Sequence, residues 1–277
     1  MTELLALITD PDLPFFRHAL LTGLLASVAF GVIGSFVVVR RISYLAGAIS
    51  HCVLGGIGAG LYLNNVAGIS WITPFGGAVL VALLAAALLT VVSLKAGERE
   101  DSIISALWAA GMAAGLLFMA RTPGYFDPMS YLFGNILLIS GQDLLFVLGL
   151  DLLVLLVVFF FYNRFIALCF DEEFARLRGL KTHWLFLLLL ALTALTIVLM
   201  VRIVGIILVI ALLTLPAAIA STFTRSIFQM MLAATLICAG CVTLGLAASY
   251  RLDLPSGPVI ILLATFIYLA GLCRPGR

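Results

Sequence analysis

Residues 40–60 read RRISYLAGAISHCVLGGIGAG. Two arginines close one apolar run, a short turn carrying Ser43 follows, and a second apolar run begins. About eight residues into that run stands His51, the one histidine placed deep inside an apolar segment. An imidazole in hydrocarbon costs free energy unless it faces a protein interior or a watery path, which makes it a functional-site hypothesis by default. Small residues surround it: Gly47, Ala48, Ser50, Gly55, Gly56 and Gly58, with Gly56 and Gly60 in GxxxG spacing. Such a stripe lets neighbouring helices approach closely. The stretch therefore reads as a tightly packed membrane helix that carries one polar binding position.

Composition agrees. Of 277 residues, 64% are hydrophobic and 10% charged, with a mean hydropathy of +1.26. Soluble domains carry about 25% charged residues, so this chain belongs in a bilayer, in contact with lipid. Lys95 and Lys181 are the only lysines and neither follows a glycine, so no GxxxxGK[ST] phosphate loop exists and the chain has no nucleotide-hydrolysing motif of its own. The net charge of +2 carries no nucleic-acid signal, and no nucleic-acid partner is expected. The five cysteines are odd in number and mostly sit in apolar runs, against a disulfide framework. Glu3, Asp10 and Asp12 stand where a cleavable signal peptide carries positive charge, so none is expected.

At roughly 20 apolar residues per crossing, the pattern predicts an all-α polytopic protein with about nine spans (range 8–10), taken as one transmembrane domain over 1–277. The spans are 15–39, 43–63, 72–94, 102–120, 142–162, 183–201, 203–222, 229–249 and 257–273. The run 129–141 is too short to cross and reads as an interfacial half-helix, with Asn135 a possible vestibule residue. Arg202 alone separates two spans, which predicts a tight hairpin there. With the N-terminus outside, eleven of the fifteen basic residues, Arg40 and Arg41 among them, fall on the cytoplasmic side. The positive-inside rule selects that orientation.

The longest cytoplasmic segment is 163–182, NRFIALCFDEEFARLRGLKT. Its centre, 171–180, has Asp171 as N-cap, Glu172 and Glu173 in the first turn, and basic residues before Gly179, all helix signals. Phe174, Leu177 and Leu180 would share one face. Pattern alone leaves two readings open, a solvated interfacial helix or a helix that docks in a partner's groove.

These residues resemble the membrane permeases of zinc and manganese ABC importers. The resemblance rests on residues 201–220, VRIVGIILVIALLTLPAAIA, on Asp171-Glu172-Glu173-Phe174-Ala175 with Gly179, on Tyr131-Leu132-Phe133-Gly134, and on residues 252–258, LDLPSGP. It covers nearly the whole chain, with the motifs in order. It implies a homodimeric permease of the type II importer fold in the bacterial cytoplasmic membrane, with 171–180 as the coupling helix seated in a separate ABC ATPase. It also implies an extracytoplasmic metal-binding protein that delivers the ion.

The same resemblance leads one to expect an aspartate and a histidine one turn apart on the second span. Ser50 and His51 match; Gly47 stands where the aspartate belongs. Asp151, the one carboxylate deep in a span, is a second candidate for the path, with hydrogen bonding to a neighbouring helix as its plain alternative. Cys52 points about 100° away from His51 on a helix and is read as packing. The Cys238–Cys241 pair, without further Cys or His nearby, is read the same way. Arg202 and Arg251 are read as outer anchors, with Asp253 a local partner.

The expected function is the transmembrane subunit of an ATP-driven importer for zinc or manganese, with iron a third option, passing the ion along the dimer axis past His51. Gly55, Gly56 and Gly60 supply helix packing. The polypeptide itself is not an enzyme and holds no permanent cofactor. Two other classes are weighed: a type II permease for a metal chelate or siderophore, which would want a wider aromatic path, and a gradient-driven carrier, which would show internal repeats and paired broken helices.

Overall fold

The computed structural model describes residues 14–95, 100–124, 127–134 and 141–272. Arg99, Asn135, Arg274 and Arg277 lie outside the described residues. The described residues form eleven helices. In order they are α1 Pro14–Val39, α2 Ser43–Asn65, α3 Pro74–Lys95, α4 Glu100–Arg121, α5 Pro128–Phe133 and α6 Gly141–Phe170. Then follow α7 Glu172–Leu177, α8 Thr182–Val204, α9 Ile206–Ser221, α10 Ile227–Leu252 and α11 Ser256–Leu272. Seven are long and apolar enough to cross a bilayer; α9 and α11 are shorter apolar helices. Nine apolar helices therefore stand where about nine spans are predicted.

α1, α2 and α8 are the buried helices, and α4 and α6 the least covered. Burial in a bilayer gains little from hydrophobicity, because lipid is as apolar as leucine, so the helices must fit closely. They do so through glycine. A Cβ on Gly55 would come 2.7 Å from the Gly111 carbonyl oxygen of α4, and one on Gly56 would come 2.5 Å from that of Gly77 of α3. Gly60 lies equally close to Pro74, where a Cβ would be 2.8 Å from its Cα. α2 is thus held between α3 and α4, and α8 closes a third side.

The chain departs from its sequence pattern in four places. α6 is one continuous 30-residue helix, about 45 Å at 1.5 Å per residue, and does not stop at 162. Asn163 and Arg164 end the apolar run but break no helix, so α6 outruns the roughly 30 Å bilayer core. The break between α8 and α9 falls at Gly205 (φ +84°), not at Arg202, which lies in the last turn of α8. Only a residue free of Cβ strain takes that backbone with another stretch of main chain against it: Gly134 (φ +63°), which ends α5, meets Gly205 backbone to backbone. Of the predicted half-helix at 129–141, α5 covers Pro128–Phe133, capped by Asp127 through the Met129 amide at 3.0 Å.

α7 is the fourth difference. It spans six residues rather than 171–180. The Gly179 amide donates to the Arg176 carbonyl at 2.9 Å, and the Leu180 amide to that of Ala175 at 3.1 Å. With Gly179 at φ +79°, this is a Schellman ending. It turns Leu180 inward beside buried Ala175, so Leu180 leaves the Phe174 and Leu177 face.

The glycine seam can be tested by contrast. Gly56→Val should cost about 1–3 kcal/mol by overpacking and lower the melting temperature of the purified protein. Gly149→Val, on α6 with nothing within 4 Å of its Cβ position, should leave it unchanged. Equal effects at the two positions would contradict the packing described.

Candidate functional site

His51 lies on α2 with its ring stacked on Trp108 of α4, centroids 4.4 Å apart and planes 20° off parallel. The ring is half-buried, and its Nδ1 is buried without a hydrogen-bond partner. A buried nitrogen with no partner costs about 1–3 kcal/mol. Gly47, one turn earlier, faces the same indole: a Cβ there would come 3.3 Å from a Trp108 ring carbon. Trp108 therefore fills the space beside position 47 and backs the imidazole at once.

The other predicted path residues are placed elsewhere. The Ser50 hydroxyl is fully buried and donates to the Ala46 carbonyl at 2.8 Å, inside its own helix. Asp151 is buried on α6, where its Oδ1 accepts from the Ala29 amide of α1 at 3.2 Å and its Oδ2 has no partner. No hydrogen bond or ring contact joins Asp151 to His51 among the described residues. Cys52 is buried, its thiol donating to the Leu107 carbonyl at 3.5 Å, and Cys238 and Cys241 are buried on α10. Among the described residues no three His, Cys, Asp or Glu side chains gather to hold a metal. His51 is thus not part of such a group.

The 171–177 region is built differently. Asp171 accepts from the Phe174 amide at 2.8 Å and caps α7. Glu172 pairs with Arg40, whose guanidinium also lies 5.7 Å from the Phe186 ring centre of α8. Arg40 directly follows the last residue of α1, its amide donating to the Phe36 carbonyl at 2.9 Å, so the ion pair ties α7 to the turn that joins α1 to α2, the helix that bears His51. Ala175 is buried, whereas Glu173 and Phe174 are exposed and Leu177 is 86% exposed. Arg178 lies over the Phe174 ring at 4.9 Å. The exposed Phe174 and Leu177 thus form an apolar knob on a short helix anchored by its charges.

At the opposite end Arg202 pairs with Asp143 at 3.2 Å and lies about 6 Å from the rings of Phe75 and Phe146. Its carboxylate partner is thus Asp143, while Asp253 ends α10 in a left-handed conformation (φ +52°). Trp108 was not foreseen. A tryptophan inside a span, away from the interfacial belt where the residue concentrates, was the available signal.

The sequence model described as the ABC 3 transport family matches residues 12–274. A Chlamydia trachomatis protein named "Probable metal transport system membrane protein" is 40% identical over 251 residues, covering 90% of this chain and 85% of that one. The "Manganese import system permease protein ScaB" of Streptococcus gordonii is 31% identical, covering 93% and 90%. Among solved structures, "PsaBC from Streptococcus pneumoniae in complex with Fab" superposes with a TM-score of 0.85 at 27% identity, covering 99% and 96%.

The Trp108 contact predicts coupling between two positions. Gly47→Asp should destabilise the protein by about 1–3 kcal/mol, by forcing a carboxylate against the indole. Adding Trp108→Ala should recover most of that loss in a thermal melt. Strictly additive losses would contradict the contact.

Proposed function

The chain belongs to the ABC 3 transport family, and from that premise we propose that it is the membrane-spanning subunit of an ATP-driven importer for a divalent transition metal. The observation that carries the reading is a pairing of two features. A histidine with an unpartnered ring nitrogen sits on a glycine-enclosed helix, and the turn leading into that helix is tied through Arg40 and Glu172 to a short helix with an exposed apolar knob. The first feature suits a transient cation contact; the second suits a lever for a separate ATPase.

In this reading the Arg40 end faces the cytoplasm and the N-terminus lies outside, as the basic residues favour. Two copies form the permease, and the cation passes His51 near the axis between them. Asp171, Glu172, Glu173, Phe174, Ala175 and Gly179 make the ATPase-coupling element. Asp171 and Gly179 shape its ends, Glu172 passes force to Arg40, and Glu173, Phe174 and Leu177 meet the ATPase. A binding protein delivers the ion at the Arg202 end. The cargo is zinc or manganese: the ScaB name points to manganese, and an imidazole donor without a carboxylate suits zinc.

The test is to purify the chain with candidate ATPase partners and measure ATP turnover with Zn(II) and with Mn(II). Stimulation by one of them is expected. His51→Ala should abolish metal uptake in cells while the complex still assembles. Unchanged uptake would remove His51 from the path, and failure of any ATPase to co-purify would overturn the importer reading.

A further inference from the structure

Between α6 and α8, at the end of the molecule that holds Arg40, lies a groove of about 670 Å³. Arg164 and Lys181 stand at its mouth, beside the turn at Gly179 and Leu180 that closes α7. From there the floor is apolar: Phe161 on α6, then Trp184, Leu188 and Ala191 along α8. No acidic side chain lines it, and no carboxylate forms an ion pair with either cation among the described residues. Glu172, the acid of α7 that does pair, is taken by Arg40.

We infer that this groove is a binding slot for one anionic phospholipid of the surrounding membrane. Three properties select that occupant over others. First, two cations converge on one mouth, matching a headgroup of net negative charge rather than a zwitterionic one, since each basic group near an anionic lipid headgroup contributes favourably. Second, the depth fits. Lys181 to Ala191 spans about 15 Å of helix at 1.5 Å per residue, half of a bilayer core of roughly 30 Å. A groove of that depth takes an acyl chain through one leaflet; a free phosphate or a soluble anion would use only its mouth.

Third, the side chains are graded as a lipid is. The Arg164 guanidinium lies 5.2 Å from the Phe161 ring centre, which steers its charge at the rim while its stem stays on apolar surface. Trp184, 60% exposed in the first turn of α8, sits where an indole meets the glycerol level. Below it only aliphatic side chains follow. A lipid seated there would also touch Gly179 and Leu180, and so would brace the turn that ends α7. The inference needs only that the chain spans a membrane, and it stands apart from the identity of the cargo.

The experiment is native mass spectrometry of the full-length protein in detergent with dioleoylphosphatidylglycerol or dioleoylphosphatidylcholine added in turn. The expected result is retention of one phosphatidylglycerol per chain under conditions that strip phosphatidylcholine. Arg164→Ala with Lys181→Ala should lower that retention by about tenfold, and Arg164→Lys with Lys181→Arg should restore it. Leu188→Trp, which fills the floor without altering charge, should also lower it. A melting temperature within a few degrees of the parent qualifies each variant as folded, and Ala191→Phe replaces Leu188→Trp if that variant unfolds. Equal retention of the two lipids would overturn the slot. So would displacement of the bound lipid by inorganic phosphate, or full retention in the floor variants, which would reduce the effect to surface charge.

Discussion

Lipid tails solvate a leucine as well as another helix does, so helices in a bilayer hold together by closeness of fit. In this protein many close fits are backbone to backbone, and four of them lie along α2. Gly55 meets Gly111 and Gly58 meets Gly115 on one side, while Gly56 meets Gly77 and Gly60 meets Pro74 on the other. α1 is seated in the same manner, Gly31 against Thr235 of α10 and Gly34 against Leu213 of α9. These seams leave no room for α2 to slide independently of α3 and α4. They also hold in place the half-buried His51 ring, whose Nδ1 has no hydrogen-bond partner.

The two ends of the molecule are secured by different chemistry. At one, Arg40 joins α7 through Glu172 and touches α8 through Phe186, three residues before α2 starts. At the other, Arg202 and Asp143 join α8 to α6, and Gly134 abuts Gly205 at the break before α9. The Glu172–Arg40 pair thus links α7 to the turn between α1 and α2, and the glycine seams of α2 begin beyond that turn. Such a path is physical continuity, and it becomes coupling only if both ends bias one two-state element.

Much of this was legible in the chain. The bounds of α2, the nine apolar helices and the cap at Asp171 follow from local pattern, because hydrophobic runs and capping residues act on their neighbours. What was misread depends on partners distant in sequence. Arg202 looked like the hairpin because it was the lone charge, yet Asp143 and two phenylalanine rings keep it helical, and Gly205 makes the break. The span was read as ending at 162, but Arg164 continues α6 beside Phe161. Leu180 was placed on the outer face of its helix by spacing of three, which fails once a left-handed glycine reverses the chain. Gly47 read as a missing ligand; the structure adds that Trp108, sixty-one positions later, occupies that space.

The central proposal is that α7 acts on the turn leading into α2 through Arg40 and Glu172, and it can be measured directly. The complex carrying Arg40→Ala should assemble with its ATPase and hydrolyse ATP at a basal rate, while metal no longer raises that rate and uptake is lost. Full metal stimulation in that variant, with uptake intact, would contradict the account.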